Sequence, residues 1–363
     1  MIKDKVVERD KLIEETRITE ALALGSLLPG PLAVNVTAYI SFLIGGLPGA
    51  VLAVIAVLLP SFLLLLLFSV LYFEFHIGIG LDYILMGILP VILAIIFSMA
   101  LKMFKSHCTD YLQIGIAVAS LVLLFFLPGY WTIFFIILAS GVLGTFLYKQ
   151  SGPVKYAFVR NDIGYLLVPI FLAIGYIMIH NIITPNPNIL LFDVFAKTSL
   201  TLFGGGYVMI PVLEVLLVDQ LHWLTANEFL VGISLGHVTP GPILISAAFF
   251  GYKVNGAIGS VIAVLGIFLP SASLMIISSR FYSLIADNPV FKAALKAIRP
   301  AIVGMIAYSG VSLAAGDKLF AGIHYLAFFT IIAFIILEVV KISPVKAVLL
   351  GLLAGCLFYW IRG

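Results

Sequence analysis

Two three-residue motifs carry most of the chemistry this chain can offer. Pro29-Gly30-Pro31 lies inside one long apolar stretch and Pro240-Gly241-Pro242 inside another. A proline within a helix removes a backbone donor and clashes with the preceding turn, at a cost of about 3 kcal/mol. Two prolines around a glycine are therefore expected to break the helix. In lipid, broken backbone is tolerated only where protein buries it or where it lines a polar cavity. The helix that restarts after the break presents free N–H groups and partial positive charge, which suits an anion. A packing kink is the competing reading of either motif alone. Their recurrence at corresponding places favours a substrate site.

Few other polar groups lie near the breaks. Asn35 and Thr37 follow the first, Thr239 and Ser246 flank the second, and Ser61, Ser271 and Ser273 accompany a later proline in each half. Uncharged donors suit a hydrated divalent anion that must be released again, although each hydroxyl can instead bond back to its own helix. His237, three residues before Pro240, is the only histidine well inside an apolar stretch. An ionisable group there is costly and usually functional; a neutral imidazole held by a backbone carbonyl competes with proton coupling. Phe203 is followed by Gly204, Gly205 and Gly206 in mid-stretch, and each glycine weakens a helix by about 1 kcal/mol relative to alanine. An unwound, ligand-facing turn and tight helix packing are the two readings. The candidate substrate-binding set is thus Pro29, Gly30, Pro31, Asn35, Ser61, Gly204, Gly205, Gly206, His237, Thr239, Pro240, Gly241, Pro242 and Ser271.

The same inventory excludes other chemistries. Cys108 and Cys356 have no paired spacing, so neither a disulfide framework nor a metal site is expected. The apolar stretches hold no Ser-His-Asp set and no paired carboxylates, which argues against an intramembrane enzyme. No phosphate loop or cofactor motif is present, and none is expected.

Hydrophobic residues fill 63% of the 363 positions and charged ones 10%, against about 25% charge in a soluble domain. A hydrocarbon core about 30 Å thick needs about 20 apolar residues per helical span. Such stretches run Leu24–Phe42, Gly49–Tyr72, Ile84–Phe104, Tyr111–Leu127, Trp131–Tyr148 and Ile163–Asn181. They continue with Phe192–Val218, Leu230–Tyr252, Gly256–Ser279, Leu295–Ala315, Leu319–Leu337 and Pro344–Trp360. The expected fold is an all-α polytopic membrane protein with about twelve transmembrane segments. Unbroken apolar runs such as Leu63 to Phe68 exclude the alternation of a barrel. No cleavable signal peptide is expected, and the charged Met1 to Glu20 are expected to lie on the membrane surface. A formal charge of +3, with its basic residues scattered, argues against nucleic acid as a partner.

The motifs repeat in order. Gly49 to Ser61 aligns without gaps to Gly259 to Ser271 with seven of thirteen positions identical, and Pro90 then matches Pro300. Two transporter repeats, 1–148 and 189–363, are therefore expected around a linker, 149–188, that holds one span. Cytoplasmic loops carry excess Lys and Arg, and equivalent loops here differ in charge. Glu74, His76 and Asp82 in half one correspond to Arg280, Lys292, Lys296 and Arg299 in half two. Opposed charge at equivalent loops predicts inverted topology.

At these residues the sequence resembles the chromate ion transporter family. Half two carries Phe203 to Gly206, then Tyr207, Pro211, Glu214 and Asp219, then Trp223-Leu224-Thr225 with Glu228-Phe229, then Pro240 to Pro242 and Leu269 to Ser271. The resemblance covers nearly the whole chain. It implies a multi-pass protein of the bacterial inner membrane that exports chromate and so confers resistance, with sulfate as the close analogue. Any oligomer is expected to be a homodimer. Half one departs from the pattern, because it begins at the equivalent of Val212 and shows no Phe-Gly-Gly-Gly helix.

Overall fold

The computed structural model describes residues 13–75, 81–148, 186–202, 206, 209–279, 289–316 and 323–362. Twelve α-helices lie among them. Half one holds α1 (Glu15–Leu27), α2 (Leu32–Phe73), α3 (Leu81–His107), α4 (Tyr111–Phe126) and α5 (Tyr130–Leu147). The rest are α6 (Pro187–Thr201), α7 (Met209–Glu214), α8 (Ala226–Val238), α9 (Ala247–Ser279), α10 (Pro289–Gly316), α11 (Ile323–Ile335) and α12 (Pro344–Arg362). π-Helical turns Val215–Gln220 and Ile336–Val340 extend α7 and α11, and a 3-10 turn, Ile243–Ser246, leads into α9.

The all-α polytopic architecture expected from composition is the one adopted. Leu32–Phe73, Gly87–His107, Ile243–Ser279 and Lys292–Ala315 are long and apolar enough to cross a bilayer, with four shorter apolar helices beside them. Large apolar side chains such as Leu52, Leu63, Phe126 and Val339 point outward, as a hydrocarbon solvent permits.

The two stretches that contain Pro-Gly-Pro do not cross as single helices. α1 is 13 residues long, about 20 Å, and so shorter than a membrane core of about 30 Å. It folds back on the start of α2. A Cβ on Gly25 would lie 2.7 Å from Leu32 Cδ1 and 3.2 Å from Val36 Cγ2, and Ile18, Ala21 and Leu24 pack with Val36, Tyr39 and Ile40. The second half repeats this shape. Phe229 of α8 stacks on Phe250 at 5.1 Å, Glu228 pairs with Lys253 at 2.8 Å, and a Cβ on Gly236 would meet Ser246 Oγ at 2.0 Å. Each Pro-Gly-Pro is thus the tip of a helical hairpin.

A second reversal follows each hairpin. α2 turns at Gly45 and Gly46, where Gly46 takes φ 61° and ψ −155°. α9 turns at Asn255 and Gly256, where Gly256 takes φ 54° and ψ −148°. The positive φ is open to glycine without steric cost. Beyond the turn the chain returns along itself: Ser260 Oγ donates to the Ala248 carbonyl at 2.8 Å, although twelve residues of straight helix would span about 18 Å. Each of α2 and α9 therefore has a short limb (32–44 and 247–254) and a long one (47–73 and 257–279).

The long limbs run antiparallel. Tyr252, before the long limb of α9, donates to Glu74 at the end of α2 at 3.2 Å, and the Tyr39 hydroxyl meets Ser279 at the far end. The third helices are exchanged between halves: α3 packs on α11 and α12, while α10 packs on α4 and α5. Small residues permit this. A Cβ on Gly87 would lie 2.2 Å from the Gly351 carbonyl, and one on Gly144 would lie 2.5 Å from the Ala293 carbonyl; such close backbone approach is how membrane helices gain packing contacts.

Of Met1 to Glu20, expected on the membrane surface, residues 1–12 lie outside the described residues and 15–20 form the opening turns of α1. Lys292, Lys296 and Arg299, expected in a loop, lie on the first turns of α10. The span Ile163–Asn181 lies outside the described residues.

Candidate functional site

The hairpin tips of the two halves meet the opposite half. A Cβ on Gly30 would lie 2.3 Å from Ser271 Cβ and 2.7 Å from Ser271 Oγ. A Cβ on Gly241 would lie 2.6 Å from Ser61 Oγ and 2.9 Å from Ser61 Cβ. Each Pro-Gly-Pro tip of one half thus abuts the Pro-Ser step of the other, midway along its long limb. Pro60 and Pro270 lie within the helical long limbs, so each broken tip of one half meets a proline-containing stretch of helix from the other.

A third element joins them. The Gly30 N–H donates to the Leu202 carbonyl at 3.1 Å, at the end of α6. Gly206 lies against the second tip, where a Cβ would meet Leu244 Cδ1 at 2.5 Å and Ile243 Cγ2 at 2.9 Å. Leu202 thus touches the first tip and Gly206 the second, while Gly204 and Gly205 lie outside the described residues.

Pro31 and Pro242 cap the restarting helices in extended conformation, and neither provides a side-chain hydrogen bond. The first N–H groups of a helix have no partner within it, so both restarts direct donors and positive partial charge toward the tips. The C-terminal ends of α1 and α8 direct carbonyls to the same places. Arg299 of α10 offsets one of them, since its Nη2 donates to the Ser26 carbonyl at 3.3 Å.

Asn35 clasps the first tip. Its Nδ2 donates to the Pro29 carbonyl at 3.2 Å, which fixes the orientation of the amide. The opposite atom, Oδ1, is buried without a partner and is open to a donor such as a water of hydration. Other polar groups bond within their own segments. Ser61 Oγ donates to Leu58 at 3.0 Å, Ser271 Oγ to Phe268 at 3.2 Å and Thr239 Oγ1 to Gly236 at 3.2 Å. Thr37 and Ser246 do likewise, to Ala33 and Ile243 at 2.8 Å. A hydroxyl that donates locally keeps lone pairs but has no second proton to offer an anion. Among the described residues, backbone N–H groups and Asn35 are then the polar groups left at the tips. Buried His237 has Nδ1 2.9 Å from the Ile233 carbonyl, so that nitrogen carries the proton. Ser273 instead lines an apolar crevice of about 300 Å³ between the long limbs.

Two groups lie outside the candidate set read from the sequence, Glu214 having been named there only among the residues that carry the family resemblance. Leu202 contributes a backbone carbonyl, which no side-chain pattern marks. Glu214 is 1% exposed and accepts a hydrogen bond from Ser309 of α10; its signal was available as a carboxylate inside the apolar stretch 192–218.

Apolar surfaces, paired short hairpins and long limbs of opposite direction define a multi-pass helical membrane protein. The chain belongs to the chromate transporter family, whose model matches residues 1–145 and 189–356. It is 28% identical over 316 residues to an uncharacterized transporter of Methanocaldococcus jannaschii, covering 84% of this chain and 76% of that protein. It is 27% identical to the chromate transport protein of Pseudomonas aeruginosa, covering 86% and 75%. A chromate transport protein of Cupriavidus metallidurans is also 27% identical, covering 85% and 75%. No solved structure matches.

Proposed function

We propose that this protein is a secondary transporter that exports chromate, or a closely related divalent oxyanion, across the bacterial inner membrane and so confers chromate resistance. The observation that carries the reading is the reciprocal fit of Gly30 on Ser271 and Gly241 on Ser61. It brings two helix restarts, one from each half, to the same pair of long limbs. An anion held there by backbone N–H groups needs no buried cation, and its release needs no salt bridge to break.

The repeats 1–148 and 189–363 supply one hairpin each, with 149–188 as the linker. Because the long limbs are antiparallel, rocking one repeat against the other opens the tips alternately to the two sides, the logic of inverted repeats. Pro29, Pro31, Pro240 and Pro242 hold the restarts open, and Gly30, Gly206 and Gly241 let backbones approach. Gly204, Gly205, Thr239 and His237 complete the lining. Lipid is the surrounding solvent, and a homodimer is the expected assembly.

Chromate uptake into inside-out vesicles tests the reading. Wild type is expected to accumulate chromate, with excess sulfate competing; a Pro240→Ala plus Pro242→Ala variant of equal abundance is expected not to. No accumulation by any form overturns the assignment, and sulfate accumulation without chromate replaces the substrate.

A further inference from the structure

Glu214 takes no part in the anion site, yet it is a carboxyl withdrawn from water inside a membrane protein. It ends α7, is 1% exposed and accepts from the Ser309 hydroxyl, with the Ser312 hydroxyl also in bonding reach. Among the described residues no Lys, Arg or His pairs with it. The ionisable groups that face it are Asp219 on the π turn and Tyr308 on α10, and either is negative when charged. α6, which also packs on α7, contributes Asp193 and Lys197, and these pair with each other at 2.5 Å.

A carboxylate moved out of water without a cation costs several kcal/mol. Hydroxyl donors offset part of that, while the protonated carboxyl is neutral and still accepts from Ser309 through its carbonyl oxygen. The backbone between Glu214 and Asp219 departs from an α-helix. Residues 215–220 form a π turn, in which Leu221 N donates to the Leu216 carbonyl at 2.9 Å. Hydrogen bonding from i to i+5 places Asp219 about one turn beyond Glu214 on a common side, whereas an α-helix would rotate it away. Asp219 is exposed. An exposed carboxyl thus stands about one turn along the chain from a buried one.

We propose that Glu214 is the proton-carrying group of the transport cycle. Its carboxylate binds one proton by way of Asp219 in one orientation of the repeats and releases that proton in the other. The inference rests on the anion-transport reading and adds the coupling ion to it. In the register that matches Pro29 to Pro240, Glu214 corresponds to Lys3, so the proton site belongs to half two alone.

The test uses the full chain in liposomes. Chromate exchange, chromate accumulation under an imposed pH gradient and lumenal pH from an entrapped dye are measured. Infrared difference spectra between acid and alkaline buffers read the carboxyl C=O directly. Wild type is expected to show a protonated-carboxyl band that vanishes in alkali and is missing from Glu214→Gln. That variant is expected to keep chromate exchange while losing gradient-driven accumulation by about tenfold or more. Glu214→Asp retains an acid and is expected to keep the coupling with a displaced pH midpoint, which separates titration from folding. Gradient-driven accumulation by Glu214→Gln at the wild-type level overturns the proposal, as does a band that does not respond to pH. If the band titrates but wild type moves no chromate, the anion reading fails and the proton site stands. If chromate exchanges without a titrating band, the proton site alone fails.

Discussion

The two hairpin tips share a motif and a position but not a conformation. At the first, Gly30 has φ +114°, its N–H is tied to Leu202, and Asn35 clasps the Pro29 carbonyl. At the second, Gly241 is not among the positive-φ glycines, the bonds run locally through Thr239, and a 3-10 turn separates Pro242 from α9. The first tip is held by neighbours on three elements, the second mainly by its own turns. Both glycines are needed because a serine of the other half stands where a Cβ would go. Only the first is needed for its backbone as well. Sequence repetition therefore conserved the contact between halves while letting the way each tip is built diverge.

That contrast is open to attack. The largest effect is expected from Gly30→Ala, which meets Ser271 at 2.3 Å and Asn35 Nδ2 at 2.8 Å and also imposes backbone strain of about 1–3 kcal/mol. Thermal unfolding in detergent is expected to fall sharply, and adding Ser271→Gly is expected not to restore it, since the strain remains. Full rescue by Ser271→Gly would make the two tips equivalent.

Gly241→Ala is expected to cost about 1–3 kcal/mol through overpacking alone. Here Ser61→Gly removes the obstructing atoms, and the double variant is expected to recover both melting temperature and chromate transport. A double variant as damaged as the single one would place the strain in the backbone of the second tip too.

Asn35→Ala removes one hydrogen bond of about 1 kcal/mol and the clasp on Pro29. A modest loss of stability with a larger loss of chromate affinity is expected, read by binding to the detergent-solubilised protein. Equal stability and unchanged affinity would remove Asn35 from the site. Smallest of all are Ser61→Ala and Ser271→Ala. Each hydroxyl donates to its own helix, so transport is expected to stay near wild type, and a loss of about tenfold or more in either would show that the hydroxyl turns to the substrate.

Much of this was legible in advance. Apolar runs of about 20 residues place helices without tertiary information, and the two Pro-Gly-Pro motifs marked where helices stop, whereas Pro60, Pro90, Pro270 and Pro300 lie inside helices. The match of Gly49–Ser61 to Gly259–Ser271 showed the repeat, and opposed loop charges predicted limbs of opposite direction. Asn35, Ser61, Ser271, Gly206, Thr239 and His237 all came to notice as rare polar or small residues near the breaks. The hairpins were not legible. Leu24–Phe42 has the length and hydropathy of one span, and periodicity is blind to a chain that turns back, because both limbs of a hairpin in lipid are equally apolar.

Sequence by itself determined the solvent, the all-α class, the doubled design and the two Pro-Gly-Pro points where helix hydrogen bonding fails, because these follow from local composition and from two prolines that together remove donors on either side of a glycine. Tertiary structure decided where the chain goes after each failure. The signs of φ at Gly30, Gly46 and Gly256, the seating of each tip on the other half's serine, and the meeting of Glu214 with Ser309 depend on partners far away in sequence. Lipid offers no hydrophobic drive between helices, so those partners were selected by close backbone packing, which glycine permits and no apolar pattern records.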